Sequence, residues 1–318
     1  MKRPILSFSL LIILFSFSFR LYGQATHEVK SIAGSTGNQL EVVDWGGKGQ
    51  AILFLTGLGN TVHVYDGFAP GFTNKFHVYG MSRRGYGASE QTGTGYGIDT
   101  LTKDILSIVD GLGVKKVILI GHSIAGDEIS VFASQYPDRV LKVIYLDAAY
   151  DHSNLEDLPF PDFPAATAKD SLSVQDLNDD LKRIRGFVFP EDELRHQYVF
   201  SAKNFRVRPV TPSSVSDAIV QGVRLQNYTA VKCPALAIYG QRNTAQQWFP
   251  SYSYMDAANQ QKAVNGFMPA WKIYYAAEIN RFKSEKPDGM VKEIPGADHY
   301  VFLTSPGETE KLIREFLN

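Results

Sequence analysis

The sequence predicts an α/β protein with a mostly parallel sheet and a helical insertion, and three observations carry that reading. Short apolar, β-branched runs alternate with longer helical patterns from residue 28 to about 150. The strand runs then vanish over 151–230. They resume at 235–239 and 290–294, before a closing helix at 306–317. One core interrupted by an insertion explains this order better than two independent domains, and there is no internal repeat or low-complexity linker.

In order, the expected strands are 28–33, 39–44, 51–55, 76–80, 116–120 and 141–146. Between the fourth and fifth, residues 100–112 (TLTKDILSIVDGL) place Leu101, Ile105, Ile108 and Val109 on one helical face. A second helix, 124–136, stops before Pro137. The insertion carries helix-like stretches near 173–185, 190–203 and 211–223.

Before the first strand, the chain opens on Met1-Lys2-Arg3, an apolar and serine run from Ile5 to Phe19, and a more polar exit ending at Gln24-Ala25. That order reads as a secretory signal peptide over 1–24 rather than an uncleaved anchor, its apolar run being shorter than the ~20 residues that span a bilayer. The expected division is therefore 1–24 signal peptide, 25–150 first part of the core, 151–230 insertion and 231–318 second part. An exported, soluble mature protein, periplasmic or secreted, is expected.

Losing Lys2, Arg3 and Arg20 moves the formal charge from −1 to −4. A mildly acidic chain without a basic cluster is a poor partner for nucleic acid or anionic membrane. Cys233 is the single cysteine, which excludes an intrachain disulfide and a cysteine metal site. No cofactor fingerprint or metal-ligand spacing is present in the sequence.

The chemistry centres on VILIGHSIAG, residues 117–126. A strand followed by Gly-x-Ser-x-small and a helix puts the serine on a tight turn, so its neighbours two before and two after must be small. Gly121 and Ala125 satisfy this, and Gly126 relieves the helix further. The turn exposes the Ser123 hydroxyl, and the helix start supplies N–H groups for an oxyanion. A second donor is expected from LFLTGLGNT (53–61), where the Leu58 amide can pair with that of Ile124. That loop lacks both the third glycine of a dinucleotide fingerprint and the Gly-Lys-Ser/Thr of a P-loop. Of seven histidines, His299 alone lies in a small-residue loop after the last strand and before the final helix, where a base belongs.

Taken together, TGLGNT, SRRGYGAS (82–89), GHSIAG, PALAIYG (234–240) and GADHYVF resemble, in order, the motifs of the α/β-hydrolase superfamily over residues 28–318. The resemblance implies that 151–230 is a helical cap covering the site. It implies that Ser82 stands where the family has aspartate, and that Arg84 is structural. It also implies a triad acid after strand 235–239, but YGQRNT offers Asn243 there. Some haloalkane dehalogenases and pancreatic-type lipases hold the acid one strand earlier. Here that strand ends in VIYLDAAYD, which makes Asp147 the candidate and Asp151 its rival, with Asp256 a distant third. Asp298 adjoins His299 and is badly placed to bond its ring. Glu128 is a helix-start acid outside the catalytic set, and His122 packs beside the elbow.

The expected activity is that of a serine hydrolase acting on a small carboxylic ester or related acyl compound, of apolar acyl or aryl character, through Ser123, His299 and Asp147. Phe160, Phe163, Phe187, Phe189, Tyr198, Phe200 and Phe205 are available to line a pocket or to form the cap's own core. A serine nucleophile disfavours dehalogenase and epoxide-hydrolase chemistry. Peptidase, lactonase, thioesterase and carbon–carbon hydrolase activities stay open, as does an inactive fold that binds an apolar ligand. The sequence sets no oligomeric state.

Overall fold

A computed structural model describes residues 27–164 and 172–318; the signal-peptide expectation falls outside the described residues. The chain runs β1 (Glu28–Ala33), β2 (Gln39–Gly46), β3 (Ala51–Leu55), β4 (His77–Met81), α1 (Ile98–Gly111), β5 (Val117–His122), α2 (Ala125–Gln135) and β6 (Val140–Leu146). There follow α3 (Val174–Arg185), α4 (Glu191–Gln197), β7 (Tyr198–Phe200), β8 (Arg206–Pro209) and α5 (Ser213–Gln221). The chain closes with β9 (Ala235–Gln241), α6 (Ala245–Trp248), α7 (Ala257–Gln261), α8 (Met268–Glu285), β10 (Met290–Pro295), α9 (Val301–Thr304) and α10 (Pro306–Leu317).

Eight strands form one sheet in the order β1-β2-β4-β3-β5-β6-β9-β10. The β1–β2 and β2–β4 pairs are antiparallel, and all others are parallel. The central strands are apolar on both faces because both faces are covered. Leu53, Leu55, Leu119, Tyr145 and Tyr239 pack with Ile105 and Ile108 of α1, Phe132 of α2 and Phe282 of α8. Their alternates Ile52, Phe54, Ile118, Ile120 and Ile238 pack with Tyr65, Phe72, Phe302 and Ile313 on the other side. This two-residue alternation is the strand period, and each fully buried side chain contributes roughly 1.5–3 kcal/mol.

The sequence places the eight sheet strands to within about two residues of their observed ends. One expectation fails. Residues 190–203 are not one helix: α4 stops at Gln197, and β7 pairs antiparallel with β8. Tyr198-Val199-Phe200 is a β-favouring run, and Asn204 takes φ 62 in the turn, a conformation asparagine tolerates. In α3, Ser173 and Asp176 form a reciprocal cap, and Gly186 ends the helix at φ 79. No helix among the described residues is long and apolar enough to cross a membrane.

Candidate active site

The site lies at the C-terminal edge of the parallel strands. β5 ends at His122, Ser123 turns at φ 53, and α2 begins at Ala125. A left-handed non-glycine residue costs on the order of 1–3 kcal/mol, which the surrounding packing must hold. The small neighbours are required by contact. A Cβ on Gly121 would lie 3.0 Å from the Ala125 carbonyl, and one on Gly126 would lie 2.1 Å from that of Ala148. The first turn of α2 is thus seated directly on the turn that follows β6.

That following turn carries Asp147, itself at φ 46. Its N–H donates to the Ile238 carbonyl of β9 at 2.7 Å. Its Oδ1 accepts from the Tyr150 hydroxyl at 2.7 Å and the Gly240 amide at 2.9 Å. The remaining oxygen, Oδ2, meets His299 Nδ1 at 2.7 Å. Asp147 is buried, and every strong contact to it is a donor.

The structure therefore brings Asp147, and not its rival, to the histidine. Asp151 accepts the Ser153 amide at 3.0 Å and closes its own turn. Asp256 caps α7 through the Asn259 amide at 2.8 Å. Asn243 is exposed, its amide donating to Gln247 Oε1 at 2.7 Å. Asp298 pairs with Arg242 Nη1 at 3.0 Å, and the same guanidinium stacks on Trp248 at 3.3 Å.

His299 is steadied from behind by His122, whose Nε2 donates to the His299 carbonyl at 3.1 Å. Burial, then the neighbouring His299, hold the His122 ring well below the ordinary imidazole range, so it is neutral. Gly240 lets the 297–298 loop approach, since a Cβ there would stand 2.7 Å from the Asp298 carbonyl.

The Leu58 loop is held by side chains from elsewhere. Gly59 turns at φ 83, and Asn60 N–H donates to the Gly57 carbonyl at 3.3 Å. Arg83 donates through Nη2 to the Thr56 carbonyl at 2.8 Å and through Nε to buried Glu128 at 2.6 Å. From the insertion, Glu193 accepts from Asn60 Nδ2 at 2.9 Å and the Thr61 amide at 3.0 Å. Burial pushes the Glu193 carboxyl up to about 7 against those donors. No described partner takes the Leu58 or Ile124 amide proton, and Leu58 borders the same cavity as Ser123 and His299.

Two cavities meet at the site, of about 200 and 270 Å³, and both are bordered by Ser123, His299, Arg185 and Tyr300. Phe160 and Phe163 border the first, Phe187 and Phe189 the second; Tyr198, Phe200 and Phe205 border neither. Trp248, Phe249 and Trp271, from the segment after β9, add to the wall of the first. These three escaped the sequence reading, which looked for the cover in 151–230. Tyr150, Gly240, Arg83 and Glu193 escaped it as well, because their contacts join elements distant in sequence. Ser82 Oγ donates to Glu41 Oε2 at 2.6 Å, so the carboxylate lost from this loop is supplied by β2. Arg84 is fully buried against Asp104, as the resemblance implied.

Among the described residues, His27, His63 and Asp66, and also Glu41, His63 and His196, bring three possible metal-ligating atoms within 4.8 Å of one another. His63 already gives one nitrogen to Asp66 at 2.8 Å and the other to Glu41 at 3.4 Å. Its ring stacks on His196 at 3.7 Å between centres. Burial opposes charge on His63, but the two carboxylates outweigh it and raise the ring to about 10.

A family model described as alpha/beta hydrolase fold matches residues 50–306. The 2-(acetamidomethylene)succinate hydrolase of Mesorhizobium japonicum is 24% identical over 86% of this chain and 89% of its own length. The non-heme chloroperoxidase of Streptomyces lividans is 28% identical over 43% of this chain and 54% of its own. Among solved structures, E-2-(acetamidomethylene)succinate hydrolase superposes with a TM-score of 0.67 at 22% identity, covering 92% of this chain and 99% of the other.

Proposed function

From the premise that this chain belongs to the α/β-hydrolase fold family, we propose that it is an exported serine hydrolase that cleaves a carboxylic ester or related acyl bond. The observation that carries the reading is the His299 Nδ1 to Asp147 Oδ2 contact of 2.7 Å, beside a serine held at φ 53 on the same cavity. Export rests on the Met1–Ala25 pattern, and sequencing the N-terminus of the protein recovered outside the cytoplasm tests it.

Asp147 holds a proton on His299 Nδ1, which leaves Nε2 as the base for the Ser123 hydroxyl. The serine oxygen attacks the carbonyl carbon, and the Leu58 and Ile124 amides receive the developing oxyanion. The imidazolium then protonates the leaving group. In the second half, His299 activates water, the acyl–serine bond breaks, and the proton returns to Ser123. The buried carboxylate stabilises the transient imidazolium, while Tyr150 and Gly240 keep that carboxylate from turning away.

A fluorophosphonate probe on residues 25–318, with the labelled peptide mapped by mass spectrometry, tests the proposal. Covalent labelling of Ser123, abolished in Ser123→Ala, is expected. Folded protein that resists the probe and hydrolyses no ester would replace this reading with that of a binding protein. The relative's name widens the acyl classes worth assaying to amide-like succinate derivatives.

A further inference from the structure

The two cavities at Ser123 contain several charged groups, and all but one are committed. Asp147 is held by His299, Tyr150 and Gly240. Asp298 pairs with Arg242, whose flat face lies on Trp248. His152 faces Asp127 at 3.2 Å. Arg185 differs from these. It makes no hydrogen bond or ion pair among the described residues, although it borders both cavities together with Ser123 and His299.

Among the described residues its guanidinium carbon lies 4.8 Å from the centre of the Phe163 ring. Stacking of this kind uses the flat face of the group and leaves its in-plane N–H edges for an acceptor. The backbone beneath is fixed as well. Arg185 is the last residue of α3, and Gly186 follows so close to Pro250 that a Cβ would stand 3.0 Å from that ring. The end of α3 and the segment after β9 thus pin the base of the side chain, while its exposed head remains open to whatever enters.

Resting on the serine-hydrolase reading, we propose that Arg185 is a specificity-determining residue that takes a carboxylate of the substrate. The substrate class is then an acyl or aryl compound with an apolar body and an anionic end. The body would lie along Phe160, Trp248, Phe249 and Trp271, and the carboxylate would accept the paired N–H edges of the guanidinium. In a mildly acidic protein, a lone unneutralised cation beside apolar walls supplies local attraction that the overall charge does not. Hydrolysis breaks the bond from the acyl carbon to the leaving oxygen. Water supplies hydroxyl to the carbon and a proton to the oxygen, and the anchoring carboxylate is unchanged.

The test compares 4-nitrophenyl butyrate with mono-4-nitrophenyl glutarate on the purified mature chain, as wild type, Arg185→Gln and Arg185→Lys. Wild type is expected to favour the glutarate ester at least tenfold in kcat/KM. Arg185→Gln is expected to reduce that ratio at least tenfold through KM, and Arg185→Lys to restore part of it. Equal kcat/KM for both esters in wild type, or a ratio unmoved in Arg185→Gln, overturns the proposal. Glutarate binding to Ser123→Ala, read by tryptophan fluorescence, separates this proposal from the hydrolase reading. Binding that disappears in Ser123→Ala/Arg185→Gln upholds the anion site even if neither ester is turned over. Absence of Arg185-dependent binding overturns it.

Discussion

The two sides of Ser123 are built by different means. On the acid side, Asp147 stands at the end of a central strand, in strained backbone, with donors from β9 and its own turn. On the oxyanion side, the Leu58 loop depends on side chains that arrive from α2, from the Arg83 loop and from α4. The first arrangement is anchored in the sheet core. The second leans partly on the insertion, so events in the cover should reach the Leu58 amide more easily than the triad.

The largest expected effect breaks the acid side. Asp147→Asn should lower kcat for 4-nitrophenyl butyrate by about 10⁴-fold, because the amide disfavours the working histidine tautomer. Asp151→Asn should stay within about tenfold, and a greater loss there would return Asp151 to candidacy.

Next comes the oxyanion side. A Cβ on Gly57 would stand 2.7 Å from His122 Nδ1 and 3.2 Å from the Ser123 Cβ. Gly57→Ala should therefore displace the loop and cost ~10²–10³ in kcat, the size of one lost oxyanion donor. A variant that folds and keeps full activity would remove Leu58 from the mechanism.

A smaller effect separates the two sides by pH. Glu193 is raised by burial to about 7, above its ordinary range near 4.5. The folded state thus holds this proton more tightly than the unfolded state. Its contribution is fully present below about pH 4.5 and is lost as pH rises through 7. The loss between pH 5 and 8 should be on the order of 3 kcal/mol at most, measured by urea unfolding. Glu193→Gln should flatten that slope, and an unchanged slope would assign it to other groups.

The smallest effect concerns the position where the family's acid is absent. Asn243→Asp should change kcat less than about twofold, since that side chain is exposed in a turn.

The sequence revealed the parts that local patterns control. The serine turn follows from small residues at fixed offsets, and the strands follow from apolar runs of the right length. Asp147 led Asp151 already from its place at the strand end, and what the sequence did not display is that Gly240 and the His299 loop give that carboxylate its partners. Tyr150 lay three residues from Asp147 in plain view, yet only the turn's geometry aims its hydroxyl at the carboxylate. Glu193 was illegible for a simpler reason: its partners Asn60 and Thr61 are more than 130 residues away. The β7–β8 hairpin was missed because a short helical pattern was extended across a run of strand formers.

The Ser123 amide donates to the Leu146 carbonyl at 3.3 Å, and the next residue is the acid that holds His299. Nucleophile and acid therefore stand on the ends of two neighbouring strands, β5 and β6, which this bond ties together. A displacement of either strand end passes to the other through that bond and the β5–β6 ladder. Substitutions confined to the cover should therefore leave the attacking oxygen and the carboxylate behind its base in register.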